Sequence, residues 1–405
     1  MSNNCAISVA NFLENAEQLE SKLHAFTAIN KKDLLKEAQA LDSLRPDQRK
    51  SIHGLLLGVK EVYDVKGFVC GWGTPIHNNR IPTSDSALVA ALKTAGALLA
   101  GITVSTEYAL STPGPTNNPH DITRTPGASS QGSAAAVASG LIPAALGSQT
   151  IGSIIRPAAY CGCIGFKPSW GLLNTEGTMP LAKILDHPGV FTNGVTLLRD
   201  LLYVIKPDHD WEIKKGEKVD VVMIEPWYSE DTDPLILRAV HKACSKLINQ
   251  GFSVDTIKLD PSKIREEENL VMTLLTAGVA KNHGDDFDRN SSMMSKRIRD
   301  YILAGRNVSA DDLSRAKKGR ENVAQYLERL LRGKVFVTAA TVGLAPRKEE
   351  GTGSRAPQRL WTLAGFPVLS VPISSHNGLP IGVQIGASWG RDRFVLEIGG
   401  HLFGS

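Results

Sequence analysis

No run of eighteen uninterrupted apolar residues occurs in this sequence, so nothing in it reads as a membrane-spanning helix. Net charge is also scarce. The 45 Lys and Arg against 41 Asp and Glu leave only +4 over 405 residues, and the basic residues are scattered rather than clustered. That excludes the electrostatic footprint of a nucleic-acid-binding surface. Cysteine is sparse and odd in number: Cys5, Cys70, Cys161, Cys163 and Cys244. The Cys161/Cys163 pair has no second pair to match it. Neither a disulfide framework nor a zinc site is therefore expected, and buried, reduced thiols are. The first residues, M-S-N-N-C-A, lack the basic start and apolar core of a signal peptide. With the thiols, this leads to the expectation of a cytoplasmic protein. The ten histidines include no H-x-x-x-H pair, and no Walker or dinucleotide fingerprint occurs. No metal and no organic cofactor is expected. Internal repeats, low-complexity segments and a Pro/Ser linker are absent too.

What remains is an ordinary globular composition, 42% hydrophobic and 21% charged, enough for a large core. Apolar residues at three- and four-residue steps predict helices over residues 8–42. Short apolar runs predict strands at Leu56–Val62, Ala97–Thr103, Ile142–Gly147, Val335–Thr341, Pro367–Ile373 and Ile381–Gly386. Helices are predicted at Ser86–Thr94 and Ser133–Ser139. Four prolines between Thr112 and Gly127 predict a long irregular loop. Strands alternating with helices argue for a sheet covered on both faces. We expect a single domain over 1–405, with N-terminal helices at 1–45 and a variable, more polar helical region at 230–332.

Two Gly/Ser-rich loops flank an Ala-rich helix. The first runs P-G-A-S-S-Q-G from Pro126, and the second is G-S-Q-T-I-G-S-I-I-R-P from Gly147. Between them they offer a serine nucleophile, a second serine to relay its proton, and a row of backbone N–H groups. Upstream, L-L-L-G-V ends on Lys60. A lysine in an apolar setting loses its proton more easily, because burial disfavours the charged form. Serine, relaying serine and buried lysine make a base-activated nucleophile that needs no histidine. Ser153 stands where a strand gives way to the second loop. The amides of Thr150, Ile151, Gly152 and Ser153 can face a developing oxyanion, each such donor contributing about 3–4 kcal/mol to the transition state.

These motifs resemble the amidase signature family. The resemblance also takes in G-V-K-E from Gly58, S-T-P-G-P-T-N-N-P-H-D from Ser111, G-F-K-P-S from Gly165, P-L-A-K-I-L-D-H-P-G from Pro180, T-L-A-G-F-P-V-L-S-V-P from Thr362 and G-L-P-I-G-V-Q from Gly378. It implies an α/β fold, with a large mixed sheet sandwiched between helical layers. It also implies a Lys60–Ser129–Ser153 triad, a cis peptide bond before Ser129, and hydrolysis of an amide C–N bond through an acyl-enzyme. Gln149-Thr150 and R-P-A-A-Y-C-G from Arg156 look most like the malonamidase-type and carboxybiuret-hydrolase-type branches. In the former, an arginine three residues after the nucleophile holds a substrate carboxylate. Arg156, with Ser130, is thereby assigned to substrate binding. A small-molecule amide is the expected partner, and a homodimer the expected assembly. Four positions depart from the family pattern: Ile151 and Ala128 for glycine, Ser148 for threonine, and Ile102 for lysine. An amidotransferase subunit is the alternative, against which the Gln149-Thr150 and Arg156 pattern and the end near His401 both speak. A weakly active or non-catalytic binding protein is another alternative, raised by Ile151. Two competing signals are weaker. A-S-S-Q-G from Ala128 lacks the first glycine of a hydrolase nucleophile elbow, and S-R-A-K from Ser314 lies in a charged helical run.

Overall fold

The computed structural model describes residues 4–214, 216–228 and 231–404. Eleven strands form one mixed sheet. They are β1 (Phe26–Ile29), β2 (Leu56–Lys60), β3 (Leu98–Thr103), β4 (Ala144–Gln149), β5 (Ile164–Lys167), β6 (His187–Thr192), β7 (Asp220–Ile224), β8 (Val254–Ile257), β9 (Lys334–Ala339), β10 (Val368–His376) and β11 (Leu379–Ala387). Their order across the sheet is β1-β3-β2-β4-β6-β5-β10-β11-β9-β7-β8. β3, β2 and β4 run parallel, as do β9, β7 and β8. The remaining neighbours are antiparallel.

Helices α1 (Cys5–Leu23), α2 (Leu34–Asp42), α3 (Ala87–Thr94), α4 (Gln131–Ala138), α5 (Ile155–Cys161) and α6 (Val195–Ile205) belong to the first half. Then come α7 (Pro234–Asn249), α8 (Pro261–Ile264), α9 (Glu267–Asn290), α10 (Lys296–Arg306), α11 (Ala310–Leu330), α12 (Ala356–Ala364) and α13 (Asp392–Phe403). Local chemistry sets several starts. Asp233 accepts the Leu235 N–H ahead of Pro234, and Ser309 accepts the Asp312 N–H. α4 is buried from Gln131 to Val137, which is why it is built of Gly, Ser and Ala. A Cβ on Gly132 would run into the Ala25 carbonyl and the Val104 amide.

The expected α/β architecture is the one found, with particular differences. Residues 8–42 are not all helical, because Phe26–Ile29 forms an edge strand against β3. α4 begins at Gln131 rather than Ser133, and β4 at Ala144 rather than Ile142. β5 and β6 gave no strand signal in the sequence. Pro188 interrupts the β6 pattern, although all six of its residues are buried. The stretch 230–332 contains α7 to α11, together with β8, which pairs with β7. Ser314-Arg315-Ala316-Lys317 lies on α11 with Lys317 exposed, as a solvated helix face. All five cysteines are free and buried.

Candidate active site

β2 and β4 are adjacent and parallel, with Val59 beside Leu146. Their carboxyl ends therefore open at one edge of the sheet, where ligand crevices of such sheets form. Lys60 ends β2 there, wholly buried. Its Nζ lies 2.7 Å from Ser129 Oγ, 3.0 Å from Ser130 Oγ and 2.9 Å from Ser148 Oγ. No carboxylate forms an ion pair with it among the described residues. Burial holds its pKa down to about 7, against the weaker upward pull of Glu61 and Asp186. Glu61 is turned away: its Oε1 accepts the Ser105 N–H at 2.7 Å.

The Ala128–Ser129 peptide is cis. The Ser130 amide donates to the Ser153 carbonyl at 3.4 Å, bringing the two serine loops together. Ser153 is 9% exposed. Among the described residues, no hydrogen bond joins its Oγ to Ser129. None takes the N–H of Ile151, Gly152 or Ser153. Consecutive amides without partners are rare in a protein interior, and these three precede α5. Ile151 meets no backbone strain, since it is not among the residues of positive φ. Its side chain is buried, and its carbonyl accepts the Thr362 hydroxyl at 2.7 Å. A Cβ in place of Gly152 would lie 2.7 Å from Gln358 Oε1.

Three residues carry this geometry without having been singled out for it. Ser148 completes the hydroxyl cage of Lys60. Gln149 Oε1 accepts the Ile154 and Ile155 amides at 2.9 and 3.1 Å, while its Nε2 donates to Thr362 Oγ1 at 3.1 Å. Asp186 accepts the Thr150 hydroxyl at 2.7 Å and the Leu181 and Ala182 amides at 2.8 and 2.9 Å. Burial raises its pKa. All three lie inside motifs quoted from the sequence; what was missing is which atoms they meet. An open cavity of about 660 Å³ reaches Ser148, Thr150 and Asp186, with Trp170, Met179 and Leu181 also in its walls.

Arg156 is 1% exposed. It donates from Nη1 to the Gly353 carbonyl at 2.5 Å and from Nη2 to the Ala128 carbonyl at 2.8 Å. Its Nε has no hydrogen-bond partner among the described residues. Burial lowers its pKa to about 10.

A family model described as Amidase matches residues 8–396. A glutamyl-tRNA(Gln) amidotransferase subunit from Sulfolobus acidocaldarius is 28% identical, over 96% of this chain and 92% of its own length. The subunit of the same name from Acaryochloris marina is 31% identical, over 95% and 91%. A solved structure of an amidase superposes with a TM-score of 0.90 at 29% identity, covering 98% of this chain and 95% of the other. A chain of a vestigial protein complex, tied to the origins of an s-triazine catabolic enzyme, superposes at 0.89 with 25% identity, over 98% and 94%. A buried lysine against two serine loops, and a family match over nearly the whole length, lead to one conclusion: the chain belongs to the amidase family and is an amidase-type enzyme.

Proposed function

We propose that this enzyme hydrolyses the C–N bond of a small carboxylate-bearing amide, with Lys60, Ser129 and Ser153 as its triad. The observation that carries the reading is the Lys60 environment. Burial pushes this lysine down to about 7, and its hydrogen bonds go to three hydroxyls, with no ion-paired carboxylate among the described residues. As a free amine, Lys60 takes the proton of Ser129, which takes that of Ser153. Ser153 Oγ bonds to the amide carbon, and the free amides of Ile151, Gly152 and Ser153, with Thr150 beside them, receive the oxyanion. The relay returns the proton to the nitrogen, the C–N bond breaks and the amine departs. Water then adds to the acyl-enzyme, leaving a carboxylic acid and free Ser153.

Arg156 supports the carboxylate. Among the described residues its guanidinium donates to two neutral carbonyls and its Nε–H to no acceptor, three residues from Ser153. With Gln149-Thr150, it supports a place near the malonamidase-type and carboxybiuret-hydrolase-type branches, and Ser130 stands with it beside the site. A fluorophosphonate probe should label Ser153 in the wild type and nothing in Ser153→Ala, which should lose turnover while keeping its fold. An active Ser153→Ala variant would exclude the triad. Unlabelled wild type would favour a non-catalytic binding role. A second reading, an amidotransferase subunit, is favoured by the names of the curated relatives. It predicts amide hydrolysis only in the presence of a co-purifying partner, whereas our reading predicts it from the isolated chain.

A further inference from the structure

Arg156 is not the only arginine near the nucleophile that lacks a counter-charge. The Gly353 carbonyl it holds belongs to a turn that continues into Arg355, which is half-buried. Arg355 Nη1 donates to the Tyr301 hydroxyl on α10 at 3.3 Å. Four residues before Tyr301, on the same face of that helix, stands Arg297. It is exposed, and its Nη1 donates to the Ser111 carbonyl at 2.5 Å. Burial lowers the Arg156 pKa most; Tyr160 pulls it back up, and Arg355 and Arg297 act on it as like charges that add to the effect of burial.

Among the described residues, no carboxylate forms an ion pair with Arg156, Arg297 or Arg355. The contrast is close at hand. Arg359, four residues after Arg355, is paired with Glu267 at 3.0 Å and Glu268 at 3.2 Å. The loop that Arg297 holds contributes a further buried atom, Thr112 Oγ1, with no hydrogen-bond partner among the described residues. The next glycine, Gly114, packs directly on the Gln131 side chain, whose Nε2 is also buried without a partner. Converging guanidinium groups repel one another, and burying one without a partner is costly. Exposure falls from Arg297 through half-buried Arg355 to buried Arg156, and like charges set in this order attract anions.

We propose that the amide taken here carries two anionic groups, one received by Arg156 and the second by Arg355, with Arg297 steering it from the rim. The substrate class is an amide bearing two carboxylates. This rests on the amide-hydrolase reading above and adds the second charge and the residues that select it. The guanidinium fork matches a carboxylate in two-point contact. A neutral or singly charged amide leaves Arg355 facing Arg156 uncompensated.

The binding arm of the test needs no turnover. Propionate, succinate and tricarballylate are titrated calorimetrically into Ser153→Ala protein and into Ser153→Ala/Arg355→Gln. Succinate and tricarballylate should bind at least about tenfold more tightly than propionate. The added Arg355→Gln should remove that gain, and Arg355→Lys should restore part of it. The kinetic arm compares kcat/KM for amides with one and two carboxylates. The ratio should exceed about ten in the wild type, fall toward one in Arg355→Gln, and lose part of its ionic-strength dependence in Arg297→Gln. Equal affinity for all three acids, no binding of any, or equal loss for all in a less stable Arg355→Gln protein would overturn the proposal. Ser153-dependent hydrolysis that ignores the second charge would overturn it alone. Selective binding without any Ser153-dependent hydrolysis would instead overturn the catalytic reading.

Discussion

Lys60 and Lys167 are both fully buried, and burial holds both down to about 7, yet their neighbours give them different uses. Lys167 donates to the carbonyls of Pro168 and Phe366, which can only accept. Lys60 meets three hydroxyls, which can accept a proton on one side and release one on the other. Because the Lys60 pKa is lowered, the amine form is lost as pH falls through about 7. kcat/KM should then drop about tenfold per pH unit below that point, as a pH–rate profile from pH 5 to 9 will report. Lys60→Arg, which never deprotonates, should fall by a factor on the order of 10³. Ser148 accepts from the ammonium form at 2.9 Å. Ser148→Ala removes a hydrogen bond to a charged group, worth about 1.5–3 kcal/mol. It should move the acid limb downward by about one to two pH units; an unmoved or raised limb would exclude Ser148 from the base's environment.

At the scale of elements, the loop from Thr150 to Ser153 keeps its amides free because other groups satisfy its surroundings. Gln149, the last residue of β4, caps the start of α5 by taking the Ile154 and Ile155 amides. Thr362 on α12 joins Gln149 to the Ile151 carbonyl. Gln149→Leu fills similar space but leaves two buried donors unmet, each costing about 1–3 kcal/mol. Denaturant unfolding should show a loss of about 2–6 kcal/mol in total. kcat should fall more than KM rises, since losing these caps loosens the adjoining loop whose free amides are proposed to meet the transition state. A variant of wild-type stability and rate would show that the loop is held by other contacts.

Across the whole molecule, the helices after β8 reach back onto the loop that carries Asp186. On α9, Asn282 donates to the Leu181 carbonyl at 3.1 Å, and His283 Nε2 lies 2.9 Å from the Pro180 carbonyl. Burial pushes the His283 pKa down to about 4, so the ring is neutral at ordinary pH and its Nε2 is the donor. Gly278 packs so closely that a Cβ would stand 2.6 Å from Ala182 Cβ and 3.0 Å from the Leu181 carbonyl. Gly278→Ala, despite its better helix propensity, should destabilise by about 1–3 kcal/mol through overpacking. Its effect on rate should reach Thr150 through Asp186. Thermal unfolding and kcat measured on the same preparation will test whether the two losses occur together.

The chain by itself determined β2, β3, β4, β9, β10 and β11, the Ala-rich helix and the position of the serine loops. Each rests on local features: a five-residue apolar run ending on Lys60, small residues where a helix is buried on every side, and glycine and serine where backbone must stay open. β1, β5 and β6 were illegible because partners distant in sequence, rather than periodicity, make them strands; β6 carries Pro188 and still pairs on both sides. The same holds within the site. Lys60 and Ser129 were legible as residue types, but 69 positions separate them. Whether that lysine meets hydroxyls or a carboxylate depends on which strand ends the sheet brings together. Arg156 was legible as a cation three residues from Ser153. That two more arginines, one from α10 and one from the turn before α12, stand near it without a carboxylate was decided only by packing, because charge balance at a site is a property of neighbours in space.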